Sequence, residues 1–358
     1  MRTRLLACMC GCHHGEAKTM NVQHRFVPAL VVLVLTVPAL CQDDPNTAAE
    51  KVRLMEPTEV LAVLRRAESG DPAGQNLAGL ICELGHGVPQ DSPKAVEWYK
   101  KAALQGLAAA QFNLAGMIWG GRGVTKDDRQ AIGWCRKAAV QGYAPAENLL
   151  AFAYLEGRGV DQNFTEALDW YRNAAQRGYA EAQYNLALMY QRGEGVKQNC
   201  TEAARWYAKA EEQGHREAQW NLAGMYDSGS CVPQNYAEAA RLYWKAAEQG
   251  DARAQLNLGS YYMMGRGVRR NDAEAFKWYS RAAAIGHPVA QFMLGQMYRD
   301  GRGTKQDYVA AYKWFILAKA GGNEIDGTVF LGPKMSPEDI AQAKMQASEW
   351  LRAHPSRQ

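Results

Sequence analysis

The chain has 358 residues, 47% hydrophobic and 22% charged, which is apolar material for a large core and, by length alone, for about two domains. That composition excludes an intrinsically disordered chain, a collagen-like array and a polytopic membrane protein. Formal net charge is +4, but four of the 41 basic residues and one of the 37 acidic ones lie in residues 1–41, so the remainder stands at +1 and is not steered toward nucleic acid or an anionic membrane surface.

Residues 1–41 read as a signal peptide. The apolar run FVPALVVLVLTV (26–37) follows His24 and Arg25 and leads through Pro38, Ala39, Leu40 and Cys41 into Gln42, Asp43 and Asp44, the basic, apolar and small-residue order of a secretory signal. About 15 apolar residues fall short of the ~20 that a spanning helix needs, so cleavage near residue 41 is expected, with an uncleaved anchor as the alternative. Leu40 ahead of Cys41 fits a lipoprotein signal poorly. Residues 1–19 lie upstream of an n-region that begins at Met20, an alternative start. The cluster Cys8, Cys10, Cys12, His13 and His14 within them reads as leader rather than as a metal tract. Residues 42–56 read as a linker, and 57–69 (PTEVLAVLRRAES) as an N-terminal capping helix.

From residue 70 a 36-residue unit repeats seven times. Gly85, Gly121, Gly157, Gly193, Gly229, Gly265 and Gly301 are evenly spaced, and two residues later stand Gly87, Gly123, Gly159, Gly195, Gly267 and Gly303, with Cys231 as the exception. A third series, Gly106 to Gly322, keeps the same spacing, so that with Gly70 the repeat accounts for 21 of the 34 glycines. A fixed period of this length marks a repeat array. In the fourth unit Ala182, Leu186, Ala187 and Tyr190 share one helical face and Ala203, Trp206, Tyr207 and Ala210 another, so each unit is two helices. The G-x-G turn ends the first helix with positive-φ positions. Asp91, Asp127, Asn163, Asn199, Asn235, Asn271 and Asp307 cap the second, with Glu166, Glu202, Glu238 and Glu274 placed to complete a capping box. Ala102 and its six equivalents allow close helix approach, and Trp and Tyr fill the gaps. A two-helix unit cannot bury its face alone, so the expected fold is all-α: a right-handed α/α solenoid superhelix of seven repeats over 70–322. After Gly322 the period fails, and Ser336-Pro337-Glu338-Asp339 starts a closing helix to about Ala353 within a C-terminal cap and tail over 323–358.

The units resemble the Sel-1-like repeat family, relatives of tetratricopeptide repeats; in the fourth unit the match is carried by AQYNLALMYQRGEGV (182–196) and EAARWYAKA (202–210). The resemblance implies a non-enzymatic mediator of protein–protein contacts, often in bacterial envelope, secretion or host-interaction systems. Two departures, Gly74, Ala78 and Cys82 in the first unit and Cys231 in the fifth, predict less regular units there. Some cysteine-rich relatives are described as binding penicillin or hydrolysing β-lactams, but no S-x-x-K, H-E-x-x-H, G-x-S-x-G or C-x-x-C occurs. No catalytic residue, metal ligand or cofactor is therefore expected. His215 and His287 read as solvated helix ends, and the G-R-G-V turns as turns rather than phosphate loops.

Four cysteines follow the signal. Stacking brings Cys200 and Cys231 close enough to bond in an oxidising compartment, with free thiols as the alternative; Cys82 and Cys135 replace core aromatics and read as buried thiols. The N-x-T sequences at Asn163 and Asn199 read as helix caps rather than glycosylation acceptors. Opposite the core stripe of each first helix, the positions nine, five and two before the turn glycine face a concave groove. They hold Phe112, Tyr184, Trp220, Leu256 and Phe292, then Phe152 and Leu188, then Trp119, Leu155 and Met263. This ridge is the expected binding site for a segment of a protein partner, unless curvature buries it between adjacent first helices. The chain is thus expected to be an exported scaffold or regulator, most simply periplasmic, bound to an envelope or secreted protein. A hydrolase and a secreted host-binding factor are the alternatives.

Overall fold

The computed structural model describes residues 44–354, which form 17 α-helices, two 3-10 turns and, among the described residues, no strand. Two helices precede the repeats: α1 (Pro45–Arg53) and α2 (Pro57–Glu68). The repeats follow as pairs: α3 (Pro72–Leu84) with α4 (Ser92–Leu104), α5 (Ala108–Gly120) with α6 (Asp128–Ala139), α7 (Ala144–Glu156) with α8 (Phe164–Gln176), and α9 (Ala180–Arg192) with α10 (Cys200–Glu212). They continue with α11 (Arg216–Ser228) and α12 (Tyr236–Glu248), α13 (Ala252–Met264) and α14 (Asp272–Ala284), and α15 (Pro288–Asp300) and α16 (Tyr308–Ala320). Two 3-10 turns then lead to α17 (Pro337–Ala353). From α2 to α17 each helix packs on its neighbours in the chain, while α1 packs on α3, so the molecule is an all-α solenoid.

The local chemistry repeats with the sequence. Every first helix of the repeats ends on its turn glycine in the left-handed region, as at Gly193 with φ 75°. Every second helix starts at the expected Asp or Asn, whose side chain accepts from the helix's own N–H groups, as Asn235 does from Glu238 N at 3.1 Å. The capping box is not completed. The cap residue's own N–H is already engaged with the first helix of its unit: Asn163 N donates to Tyr154 O, Asn199 N to Tyr190 O and Asn235 N to Tyr226 O, each at 2.9 Å. The freed glutamates pair forward instead, Glu202 with Arg205 and Glu238 with Arg241.

The core is built on the same register. Ala102, Ala138, Ala174, Ala210, Ala246, Ala282 and Ala318 are fully buried, and Tyr99, Tyr171, Tyr207, Tyr279 and Phe315 are buried beside them. The adjacent Trp98, Trp134 and Trp170 are only half-buried, with Lys101 and Lys137 lying over the first two rings at 4.3 and 4.0 Å. Unit one is as regular as its neighbours. Gly74 lets α2 approach closely, since a Cβ there would meet Ala67 N at 2.9 Å, and unit five keeps two 13-residue helices.

The segment 42–56 is not a plain linker where it is described. Asp44 caps α1 by accepting from Asn46 N and Thr47 N, Pro45 opens it, and Val52 is fully buried. Nine residues would not hold a helix in water; docking of Val52 supplies what the segment lacks.

Candidate functional site: the outer face of the first helices

Three positions per first helix were expected to form an exposed ridge. The structure lays most of them between neighbouring first helices. Phe112 and Tyr184 are half-buried; Phe112 packs 5.6 Å from the Tyr143 ring, and Tyr184 stacks at 4.7 Å on His215 of the next unit. Leu155, Leu188, Leu256 and Met263 are likewise half-buried against core clusters. Phe292 is not on the surface: it is 8% exposed, with its ring 5.3 Å from that of Phe315. Only Phe152, at 40%, is openly exposed. The stacked units stand close enough for each side chain to cover its neighbour's.

The two tryptophans of the ridge lie beneath arginines. Arg158 sits 3.8 Å over Trp119 and is held by Asp128 at 2.8 Å; Arg253 sits 4.1 Å over Trp220 and is held by Asp251 at 2.6 Å. Burial alone would raise the Asp251 carboxyl, yet the Arg253 guanidinium and the Ala254 N–H hold it below its ordinary range. These ion pairs are satisfied within the chain, so the ridge presents edges of apolar side chains more than free charge.

A polar ladder runs beside it. Gln75, Gln111, Gln183, Gln255 and Gln291 are buried and donate from Nε2 to a carbonyl in the last turn of the preceding helix, as Gln183 does to Ala175 O at 3.1 Å. The Oε1 atoms of Gln75, Gln111 and Gln183 accept from a glutamine 30 residues on, as Gln183 does from Gln213 at 2.8 Å, whereas those of Gln255 and Gln291 are buried with no partner among the described residues. In the third repeat a charged pair replaces two amides: Arg177 Nε lies 3.3 Å from Glu147 Oε1, while the buried Glu147 Oε2 has no partner among the described residues. Burial pushes the Glu147 carboxyl up, and Arg177 opposes this.

One feature of the face was not foreseen. Helix α1 packs on α3, with Val52, Ala48 and Met55 in the same apolar cluster as Leu77 and Leu80, and Met55 O is 2.8 Å from His86 Nε2. Leu80 stands five residues before its turn glycine, the place Phe152 holds two units on. Leu80 is 9% exposed against 40% for Phe152, and the covering helix is the difference. The sequence signal was the Asp44-Pro45 start followed by Ala48, Val52 and Met55 at helical spacing.

The start of α1 borders an open cleft of about 1230 Å³ along the starts of α5, α7, α9 and α11, lined among others by Asp44, Tyr143, Arg177, Tyr179, Glu181 and His215. Burial pushes the Tyr179 phenol up to about 12, with Glu181 and Asp44 adding to it. His215 is not a solvated helix end. Its side chain is 10% exposed; Nδ1 accepts from Ala218 N at 3.2 Å, and Nε2 lies 3.0 Å from Glu181 Oε2. His287 caps α15 in the same way, through Ala290 N at 3.5 Å.

The structure joins Cys200 to Cys231, with Cα atoms 5.4 Å apart. Cys82 and Cys135 are buried free thiols; burial pushes Cys135 up to about 12, far from a thiolate at neutral pH. Among the described residues no group of three or more His, Cys, Asp or Glu could hold a metal ion, and no helix is long and apolar enough to cross a membrane. The apolar run at 26–37 and the proposed cleavage point lie outside the described residues.

Comparison with protein families matches the Sel1 repeat to seven consecutive segments: 72–107, 108–143, 144–179, 180–215, 216–251, 252–287 and 288–323. Among solved structures, a Sel1 repeat protein from Oxalobacter formigenes is 33% identical, with 62% of this chain and 96% of that one covered and a TM-score of 0.55. A protective antigen present in uropathogenic Escherichia coli strains is 29% identical over 81% of this chain and 86% of its own, with a TM-score of 0.32. An immunity protein from Pseudomonas aeruginosa is 20% identical over 64% and 88%, with a TM-score of 0.36. The last two superpose too loosely to support any inference. Comparison with curated proteins gave no match.

Proposed function

The chain belongs to the Sel1 repeat family, and on that premise we propose that it is an exported, non-enzymatic scaffold that holds a helical segment of a protein partner against its first helices. The Sel1-repeat fold is a protein-interaction scaffold type. The finer reading rests on one observation: α1 lays Val52 on the face of α3 and takes Leu80 down to 9% exposure. What that face accepts from its own chain is a short helix with apolar Ala48 and Val52 four residues apart, followed by Met55 just past its end. Phe152 and Leu188 continue the same row of positions, uncovered by any such helix. Export is supported by the basic, apolar and small-residue order of residues 24–41, and a bacterial periplasm is its simplest destination.

The test is affinity capture by residues 42–358, unaltered and as Phe152→Asp/Leu188→Asp, with mass spectrometry of what each retains. Both side chains reach solvent, so circular dichroism of the variant should match the unaltered chain. A partner retained by the unaltered chain and lost from the folded variant supports the groove. A partner retained equally by both moves the site elsewhere on the array.

A further inference from the structure

The disulfide stands where every other described repeat junction needs a glycine. From the second repeat on, the second glycine of each turn rests on the first residue of the preceding unit's second helix. A Cβ at Gly159 would meet Asp128 O at 2.5 Å, and one at Gly195 would meet Phe164 O at 2.5 Å; Gly123, Gly267 and Gly303 face the backbone of Ser92, Tyr236 and Asp272 still more closely. Backbone cannot yield as a side-chain tip can, so these junctions exclude any other residue. In the fifth unit this place holds Cys231, with φ 74°, the one non-glycine at positive φ among the described residues. The residue it faces, first in α10, is Cys200.

We propose that the Cys200–Cys231 bond is a reducible lock on the joint between the fourth and fifth repeats, replacing a glycine contact with a covalent one. Closed, it holds a left-handed cysteine that steric repulsion disfavours. A dithiol opens it: one reductant thiolate attacks a cysteine sulfur, the second resolves the mixed disulfide, and two electrons and two protons pass to the pair. Cys200 and Cys231 end as thiols and the reductant as a disulfide. Both residues are partly exposed, so a dithiol can reach them. The opened joint keeps the strained cysteine without the bond, and repeats one to four can then shift against repeats five to seven. The stack of Tyr184 on His215 crosses the same joint.

The experiment is hydrogen exchange on the full chain, oxidised and after dithiothreitol, beside Cys200→Ser and Cys200→Ser/Cys231→Gly. Reduction should speed exchange at 229–235 and in the first turn of α10 by about tenfold or more while α4 to α7 stay unchanged. Cys200→Ser alone should match the reduced chain. Cys200→Ser/Cys231→Gly, which restores the glycine, should exchange as slowly as the oxidised chain and ignore dithiothreitol. Unpaired cysteines in the purified chain, or unchanged rates on reduction, overturn the lock. A Ser/Gly variant as fast as the reduced chain overturns the substitution for glycine.

Discussion

At the scale of single residues, the buried ladder shows how strictly a repeat position is specified. Gln183 satisfies it fully because one amide both donates to the neighbouring helix and accepts from the next glutamine, and where Ile285 and Gly321 replace that glutamine the Oε1 atoms of Gln255 and Gln291 are left buried without a partner among the described residues. Glu147 differs in placing a charge there: as a carboxylate it accepts from Arg177 and leaves Oε2 buried without a partner among the described residues. Exchanging the pair for Glu147→Gln/Arg177→Gln should therefore stabilise the chain at pH 7 by about 1 kcal/mol, read as a higher urea midpoint. The sign with pH follows from burial. Glu147 titrates above its ordinary 4.5 in the folded chain, so the folded state binds the proton more readily, and stability is lost as pH rises through the folded value. The advantage of the double variant should thus shrink as pH falls toward 4.5, and an advantage that grows with acid would refute this account.

At the scale of elements, six of the seven second helices, all but that capped by Asp127, are fixed by two separate bonds at one residue. The Asn or Asp side chain caps its own helix, and its backbone N–H ties that helix to the first. Asn235→Ala removes only the side-chain half and should cost about 1 kcal/mol by denaturant unfolding. Glu238→Ala should cost less, because its carboxylate meets Arg241 in solvent rather than the cap N–H; equal losses would restore the capping box. The number, order and caps of the repeat helices were legible in the sequence because they follow from glycine, Asn/Asp and alanine at fixed spacing. The burial of Phe292 was not, since a helical wheel says which way a side chain leaves its own helix but not how near the next helix stands. Helix α1 was missed for the opposite reason: it is too short for its own periodicity to speak, and it exists by docking.

At the scale of the whole molecule, the packing of the repeats runs chiefly between neighbouring helices, so damage should stay local. A chain beginning at residue 57 loses α1, and with it the burial of Val52 and the cover over Leu80. It should unfold with about 3 kcal/mol less stability while keeping the helical circular dichroism of the seven repeats. Hydrogen exchange should quicken in α3 and in the turn at 85–90, where His86 loses Met55 O, and not in α13 to α16. Acceleration spread over the array would mean that the units fold as one block.

From the second repeat on, the second glycine of each turn rests on the unit before it and on nothing farther away, which gives the gene a seam every 36 codons where neighbouring copies can recombine. Loss or duplication of the third repeat would leave every glycine still facing a helix start, and the product would fold with a shorter or longer groove. The fourth and fifth repeats are not interchangeable in this way, because separating them strands a cysteine in a left-handed turn. That one pair divides an otherwise freely editable array into an upstream and a downstream part whose lengths can drift independently in inheritance, but whose meeting point cannot.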